Sequence, residues 1–427
     1  MYKYILRQLT ILISLSMLIF AQACDPDDGD DTPEQPKTPH TLIYYFVGTD
    51  LSYYFKKNIE AAGKALATLT EPGGKLADVE NKPRVLCLLQ KNKTTAEIIE
   101  IEYANGLYEQ KVISTHDVPT VMTSTQMGAF IKEMIDLAPS VSYGLVMGGH
   151  SRGWTLIDSP DFYSIIAEQG IGRPQIRRYW ERDPEALVTR FFGEGYPFFS
   201  SYQEGASNFF DITDIASALS STGVKFEYAI YDACFMANIE SLYDLRNNSK
   251  YAIASVSEVL GNGFPYDKII PHLMKSGGTN HDLEAVCYEF NHYYRINAGY
   301  SGSVSLVDCA EMEALAAATK RVNTDITNEV DNDNLQYYDG LRPHLFFDFG
   351  QYMNALCADD ATRTAFQQQL DKTVICKYTL NAFYTGLKPN RGTHLIDTEA
   401  YSGLTTSQPS EMYRTEYATT AWYKATH

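Results

Sequence analysis

At 427 residues the chain is longer than one ordinary hydrophobic core covers, which predicts two folded units, a larger one and a smaller one. An apolar content of 44% with 21% charged residues excludes a disordered chain. A net charge of −18, with no basic stripe or zinc-finger spacing, excludes nucleic acid as a partner.

The start of the chain reads as a targeting segment. Lys3 and Arg7 precede an apolar run from Leu9 to Phe20, and Ala21-Gln22-Ala23 leads into Cys24. The run is shorter than the roughly 20 residues a membrane span needs, so residues 1–23 are expected to be a signal peptide. Ala-Gln-Ala suits ordinary signal peptidase, whereas a cysteine directly after it resembles a lipobox. Lipidation of Cys24 is the preferred reading, although Ala21 stands where a lipobox usually has leucine. Residues 24–40, rich in Asp and Pro, cannot bury a core and read as a solvated tether. They resemble the acidic segment behind the acylated cysteine of surface lipoproteins in Bacteroidetes-type bacteria. The expected location is outside the cytoplasm, lipid-anchored at the outer membrane or cell surface.

Thr41 to Val47 is an apolar, β-rich run ending at Gly48, followed by a helix-like stretch from Leu51 to Leu69. Residues 84–90 repeat the buried-strand pattern, 96–103 are extended, 125–137 are helical and 143–147 form another strand. Then come a helix at 214–219, a strand at 225–231, a helix at 237–245 and a strand at 252–256. This alternation predicts an α/β fold with a mainly parallel sheet. Residues 170–210 lack periodicity and carry Arg173, Arg177, Arg178, Arg182 and Arg190, which suggests a long excursion. Helices are expected at 282–294, 311–322 and 347–356, so the division is a catalytic domain over 41–275 and a C-terminal domain over 276–427. Beyond Cys24, the cysteines at 87, 234, 287, 309, 357 and 376 have irregular spacing that implies neither a disulfide framework nor a metal site.

Two segments could carry chemistry. Gly149-His150-Ser151-Arg152-Gly153 satisfies G-x-S-x-G after a strand, the pattern of a serine-esterase elbow. However, the residues that follow, Trp154 to Pro160, are extended and broken by proline, where an elbow opens into a helix. The second segment is Tyr231-Asp232-Ala233-Cys234-Phe235-Met236, at the end of a strand with a helix expected behind it. Ligands of open α/β sheets bind at the carboxyl ends of strands, and a helix N-terminus lowers a thiol pKa. His150 also lies just past a strand, so its imidazole can take the Cys234 proton and later protonate a leaving amine. Asp232 either caps the following helix or points into the cleft beside the thiol. In the cleft, its carboxylate would favour a cation, and a guanidinium would fit best.

His150-Ser151-Arg152-Gly153-Trp154 and Asp232-Ala233-Cys234-Phe235-Met236 resemble the His-Gly-x-Gly-Trp and Asp-Ala-Cys-x-Met motifs of the clostripain family of caspase-like cysteine peptidases. Ser257-Glu258 with Gly261-Asn262-Gly263-Phe264-Pro265-Tyr266 is similar to a third family segment, and Phe346 to Gly350, Gly403-Leu404 and Trp422-Tyr423 extend the likeness. The resemblance implies a caspase-like three-layer sandwich with a smaller C-terminal domain and a His150/Cys234 dyad. It further implies an oxyanion hole made by the N–H groups of Ser151 and Cys234, and a substrate pocket with Asp232, Ser255 and Glu258. Polypeptides cut after Arg or Lys would be the substrates. No cofactor is implied, and calcium activation stays open. Relatives are activated by cutting between the His and Cys segments, which makes self-cleavage after one of Arg173 to Arg190 an expectation. Ser151 departs from the family glycine and keeps the hole only if that backbone does not need positive φ. The rival readings are a serine esterase using Ser151 and an inert surface lipoprotein that binds peptides or glycans.

Overall fold

The structure, a computed structural model, describes residues 38–92, 94–118, 123–155, 180, 183, 185–190, 211–324, 326 and 328–427. The signal segment, Cys24, nearly all of the tether and Arg173, Arg177, Arg178 and Arg182 lie outside these residues.

A nine-stranded sheet organises the chain. Its strands are β1 (Thr38–Phe46), β2 (Arg84–Gln90), β3 (Thr95–Ala104), β4 (Leu107–Asp117), β5 (Ser140–Gly148), β6 (Phe226–Asp232), β7 (Ser249–Ala254) and β8 (Val304–Asp308). After the two-residue β9 (Phe347–Asp348), β10 (Val374–Tyr378) completes the sheet, in the order β10-β8-β7-β6-β5-β1-β2-β3-β4. The five central strands, β2, β1, β5, β6 and β7, run parallel, and antiparallel strands close both edges. Every residue of β1 from His40 to Phe46 is buried, as expected of a strand covered on both faces. β4, by contrast, is largely exposed and carries Glu109 and Lys111. Its polar sequence gave no strand signal, yet a charged, solvated strand is how a sheet edge avoids further pairing.

Helices pack in two groups. One contains α1 (Ser52–Leu69), α5 (Tyr266–Leu273) and α6 (Leu283–Asn297). The other contains α2 (Ser124–Leu137), α3 (Ile212–Ser221), α4 (Ile239–Leu245), α7 (Met312–Thr324), α8 (Asp360–Thr373) and α9 (Ala421–Thr426). In α1, Phe55, Asn58, Ile59, Ala62 and Leu66 form the buried stripe at helical spacing. Thr123 and Gln126 close a capping box that fixes the start of α2.

The C-terminal region does not stand apart as expected. Residues 38–427 form one compact unit, and β8 and β10 belong to the same sheet as the His and Cys segments. Two five-residue strands among helices carry too little periodicity to show this in the sequence. All six described cysteines are thiols. Among the described residues no helix is long and apolar enough to cross a membrane.

Candidate active site

The register of the central strands sets the geometry. Phe46 at the end of β1 pairs with Gly148 of β5, and Gly148 pairs with Asp232 of β6. Asp50, His150 and Cys234 follow these three positions by four, two and two residues, so all three emerge at one sheet edge. β1 has β2 on one side and β5 on the other, with the chain crossing in opposite directions, which opens a crevice at this edge.

His150 Nε2 lies 2.7 Å from Asp50 Oδ2. With the ring proton on Nε2 and donated to Asp50, Nδ1 becomes the basic nitrogen. Burial raises the Asp50 carboxyl, but the hydrogen bond and charge of His150, with the amides of Asp50 and Leu51, outweigh it and hold the group below its ordinary value. Asp50 gave no sequence motif. The signal that could have found it is its place just past a central strand.

Cys234 is fully buried, and the Val259 amide donates to its Sγ at 3.2 Å. Burial, then the Glu258 charge, push its thiol well above the ordinary range, with Asp232 adding to them and Val259 and Arg190 opposing. The helix expected to start behind it begins later. α4 starts at Ile239, and Asn238 is its cap, accepting from the Ser241 amide at 2.8 Å. Residues 234–237 form turns, with Phe235 left-handed at φ 57°, so the expected helix does not start at the thiol. The same observation removes the capping role for Asp232.

A segment of the chain itself occupies this edge. Val188 to Arg190 pairs antiparallel with residues 259–261: the Arg190 amide donates to Val259 O at 2.6 Å, and the Gly261 amide to Val188 O at 2.7 Å. The amides of Ser151 and Cys234 both donate to the Arg190 carbonyl oxygen, each at 3.2 Å. Two N–H groups converging on one carbonyl oxygen are the arrangement that stabilises an oxyanion. Ser151 is not among the residues with positive φ, so serine in place of the family glycine leaves its amide in position without strain. Its hydroxyl accepts from Gly153 N–H and donates to Met236 Sδ, both at 3.0 Å, an orientation that does not serve a nucleophile.

The Arg190 guanidinium is fully buried. Nη1 lies 2.7 Å from Asp232 Oδ2, Nη2 donates to Asn58 Oδ1 at 2.8 Å, Nε donates to Gly261 O at 3.3 Å, and the group sits 5.1 Å from the centre of the Phe55 ring. Asp232 also accepts from Tyr266 Oη at 2.7 Å. Burial pushes its carboxyl above the ordinary value, while Arg190, Tyr266 and the Phe264 amide pull it back. Gly263, at φ 66°, lies so close to the guanidinium that a side chain there would collide with it. Asn58 is the one polar residue on the buried α1 stripe that touches the pocket, and that interruption was its signal in the sequence.

The other expected pocket residues divide. Glu258 meets Thr189: its Oε2 accepts from Thr189 Oγ1 at 2.6 Å. Ser255 accepts from Ser257 N–H through its hydroxyl and from Ala237 N–H through its carbonyl, so it braces the turn behind Cys234. Trp154 is buried against Tyr413 and Tyr417, with its indole N–H donated to Ser407 Oγ at 2.8 Å. Among the described residues no group of three metal-ligating side chains clusters.

Residues 179–426 match the clostripain family. The structure of iotapain, a secreted C11 cysteine protease from Bacteroides thetaiotaomicron, is similar with a TM-score of 0.73 and 28% identity, covering 92% of this chain and 99% of that one. A secreted C11 cysteine protease from the same organism in complex with an irreversible peptide inhibitor shares the fold at TM-score 0.68 and 21% identity, covering 91% and 98%. An inactive zymogen C11 protease from Parabacteroides distasonis does so at TM-score 0.69 and 24% identity, covering 92% and 99%. No curated protein matches. The sheet flanked by helices is therefore caspase-like, and the chain belongs to the clostripain family and is a cysteine peptidase.

Proposed function

We propose that this peptidase cuts after arginine, with Cys234 as nucleophile and His150 as acid and base, and that its first substrate is its own Arg190–Phe191 bond. One observation carries the reading: Arg190 lies in the cleft as a substrate would, its guanidinium on Asp232 and its carbonyl oxygen between the amides of Ser151 and Cys234. Phe191 lies outside the described residues. In the proposed reaction His150 takes the thiol proton, Cys234 Sγ bonds to the Arg190 carbonyl carbon, and the negative oxygen is held by the two amides. The C–N bond then breaks, the proton passes to the Phe191 nitrogen, and water releases Arg190 as a carboxylate. Asp50 orients the imidazole.

The pocket divides the guanidinium among Asp232, Asn58 and the Gly261 carbonyl, a fork that lysine cannot reproduce, which favours Arg over Lys. The dyad chemistry draws on protein groups alone. The Cys24 lipobox-like site and the secreted relative support export with lipid anchoring. Membrane fractionation of wild type and Cys24→Ala tests the anchor, since a variant that stays with the membrane would exclude lipidation there.

Hydrolysis of matched peptides with Arg, Lys, Leu or Asp before the scissile bond, by wild type and Asp232→Asn, tests the specificity. Arg should exceed Leu by about 100-fold or more in wild type, because a buried, charge-assisted pair is lost with Leu. The preference should collapse in Asp232→Asn. Equal rates for Arg and Leu in wild type would refute the reading.

A further inference from the structure

Arg190 is not the only side chain of the bound segment that the cleft reads. Successive residues of an extended strand face opposite sides, so the residue before the arginine should point away from the Asp232 pocket. Thr189 nevertheless is only 2% exposed, and its Oγ1 donates to Glu258 Oε2 at 2.6 Å. The other oxygen of that fully buried carboxylate accepts from Thr385 Oγ1 at 2.6 Å and from the Gly386 amide at 2.9 Å. These donors, from a distant part of the chain, fix the carboxylate so that Oε2 faces the position before the arginine. The next two positions differ: Val188 is 39% and Leu187 47% exposed.

We infer that Glu258 is a second specificity determinant, which selects a threonine or serine hydroxyl at the residue preceding the cleaved arginine. The inference rests on the arginine-directed reading above. Valine has nearly the shape of threonine but offers Oε2 no proton, and a site built to receive a hydroxyl discriminates strongly against an analogue lacking it. An acidic residue meets a like charge. Serine keeps the hydroxyl and gives up a methyl contact. At Val188 and Leu187 backbone groups are held, the Val188 carbonyl by the Gly261 amide and the Leu187 amide by Tyr384 Oη, while the side chains are exposed, so those two positions tolerate many side chains.

The experiment measures kcat/KM of the self-processed wild-type enzyme and of Glu258→Gln on peptides ending Thr-Arg, Ser-Arg, Val-Arg and Glu-Arg before the scissile bond, with Thr-Leu as control. In wild type, Thr-Arg should exceed Val-Arg by about 10- to 100-fold, the size expected for a hydrogen bond to a charged acceptor, with Ser-Arg between them and Glu-Arg lowest. In Glu258→Gln the Thr-over-Val ratio should fall several-fold, because a neutral acceptor binds a hydroxyl about half as strongly. In the full-length chain, Thr189→Val should slow the appearance of fragments by a similar factor and Thr189→Ser should restore most of the rate. Equal rates for Thr-Arg and Val-Arg in wild type, with Arg still preferred over Leu, overturn this inference alone. Thr preferred over Val with Arg and Leu equal would support it and refute the Asp232 reading instead.

Discussion

At the residue scale, chemistry depends on which atoms of a side chain or backbone reach the scissile carbonyl. Cys234→Ala should abolish peptide hydrolysis, whereas Ser151→Ala should keep most of it, since Ser151 supplies an amide that alanine also has and its hydroxyl is turned to Met236. A peptide assay comparing the two variants checks this, and the reverse ranking would reassign the nucleophile. Asp50→Asn should reduce kcat by about 10- to 100-fold with little change in KM, part of the total worth of acid–base catalysis. The amide can donate to His150 Nε2 and stabilise the wrong tautomer. Because the Asp50 carboxyl is held below its ordinary value, it stays ionised until the pH falls under the usual carboxylate range. The wild-type acid limb should therefore not report Asp50, and Asp50→Asn should lower the plateau of the pH profile. A purely structural Asp50 would instead leave kcat unchanged and lower the thermal midpoint.

At the scale of elements, the Cys234 turn is held from behind by α4, a helix of seven residues that cannot persist without tertiary partners. Its fully buried Glu240 accepts from Thr406 Oγ1 at 2.8 Å and from the Ser407 amide at 2.9 Å, tying α4 to the short strand β11 (Thr405–Thr406) and the residue after it. Burial pushes the Glu240 carboxyl up to about 7, against the pull of those donors and with the Asp244 charge adding to the rise. A raised folded-state pKa means the native protein holds the proton more tightly than the unfolded chain. The stabilisation is complete below the unfolded value near 4.5 and is lost as the pH climbs through about 7. Unfolding free energy should thus drop by on the order of 3 kcal/mol across that window from this group. Glu240→Gln, neutral throughout and still an acceptor for both donors, should flatten that slope. Denaturant titrations of the Cys234→Ala background at several pH values test it, and an unchanged slope would exclude Glu240 as its source.

At the scale of the whole molecule, the proposed function makes the intact chain a complex of an enzyme with its own substrate. The segment that ends at Arg190 is anchored by backbone pairing along residues 259–261 and by the Asp183–Arg391 ion pair at 3.1 Å. Its buried Arg190–Asp232 pair would cost about 3–5 kcal/mol to break from one side, because an uncompensated charge would stay behind. Wild type should therefore mature into two fragments, the first ending at Arg190, while Cys234→Ala remains one chain. Mass spectrometry of the new terminus decides this, and a fully active uncut chain would exclude the scheme. Arg190→Ala should not be cut at this position and should expose Cys234. The thiol, covered and held protonated in the precursor, should then react with a small alkylating reagent at least about 10-fold faster, as expected when a buried thiol regains solvent and ionises more readily.

Local sequence determined the strands and helices that carry the site, because each has enough apolar period to declare itself. β2 spans residues 84–90, as read from the sequence, and α1 starts at Ser52, within one residue of the reading. It also determined His150 and Cys234 as candidates, since each follows a strand end. What it left open needed partners distant in the chain. Asp232 could cap or bind until Asn238 was seen at the helix start and Arg190 beside the carboxylate. Glu258 was expected in the same pocket as Asp232, and only the folded chain brings it to Thr189. Asp50 and Asn58 reach the site only because β1 lies next to β5 and α1 packs near Arg190. The pocket is built by contacts across 42 to 132 residues of sequence, and no periodicity of 2 or 3.6 residues encodes such pairings.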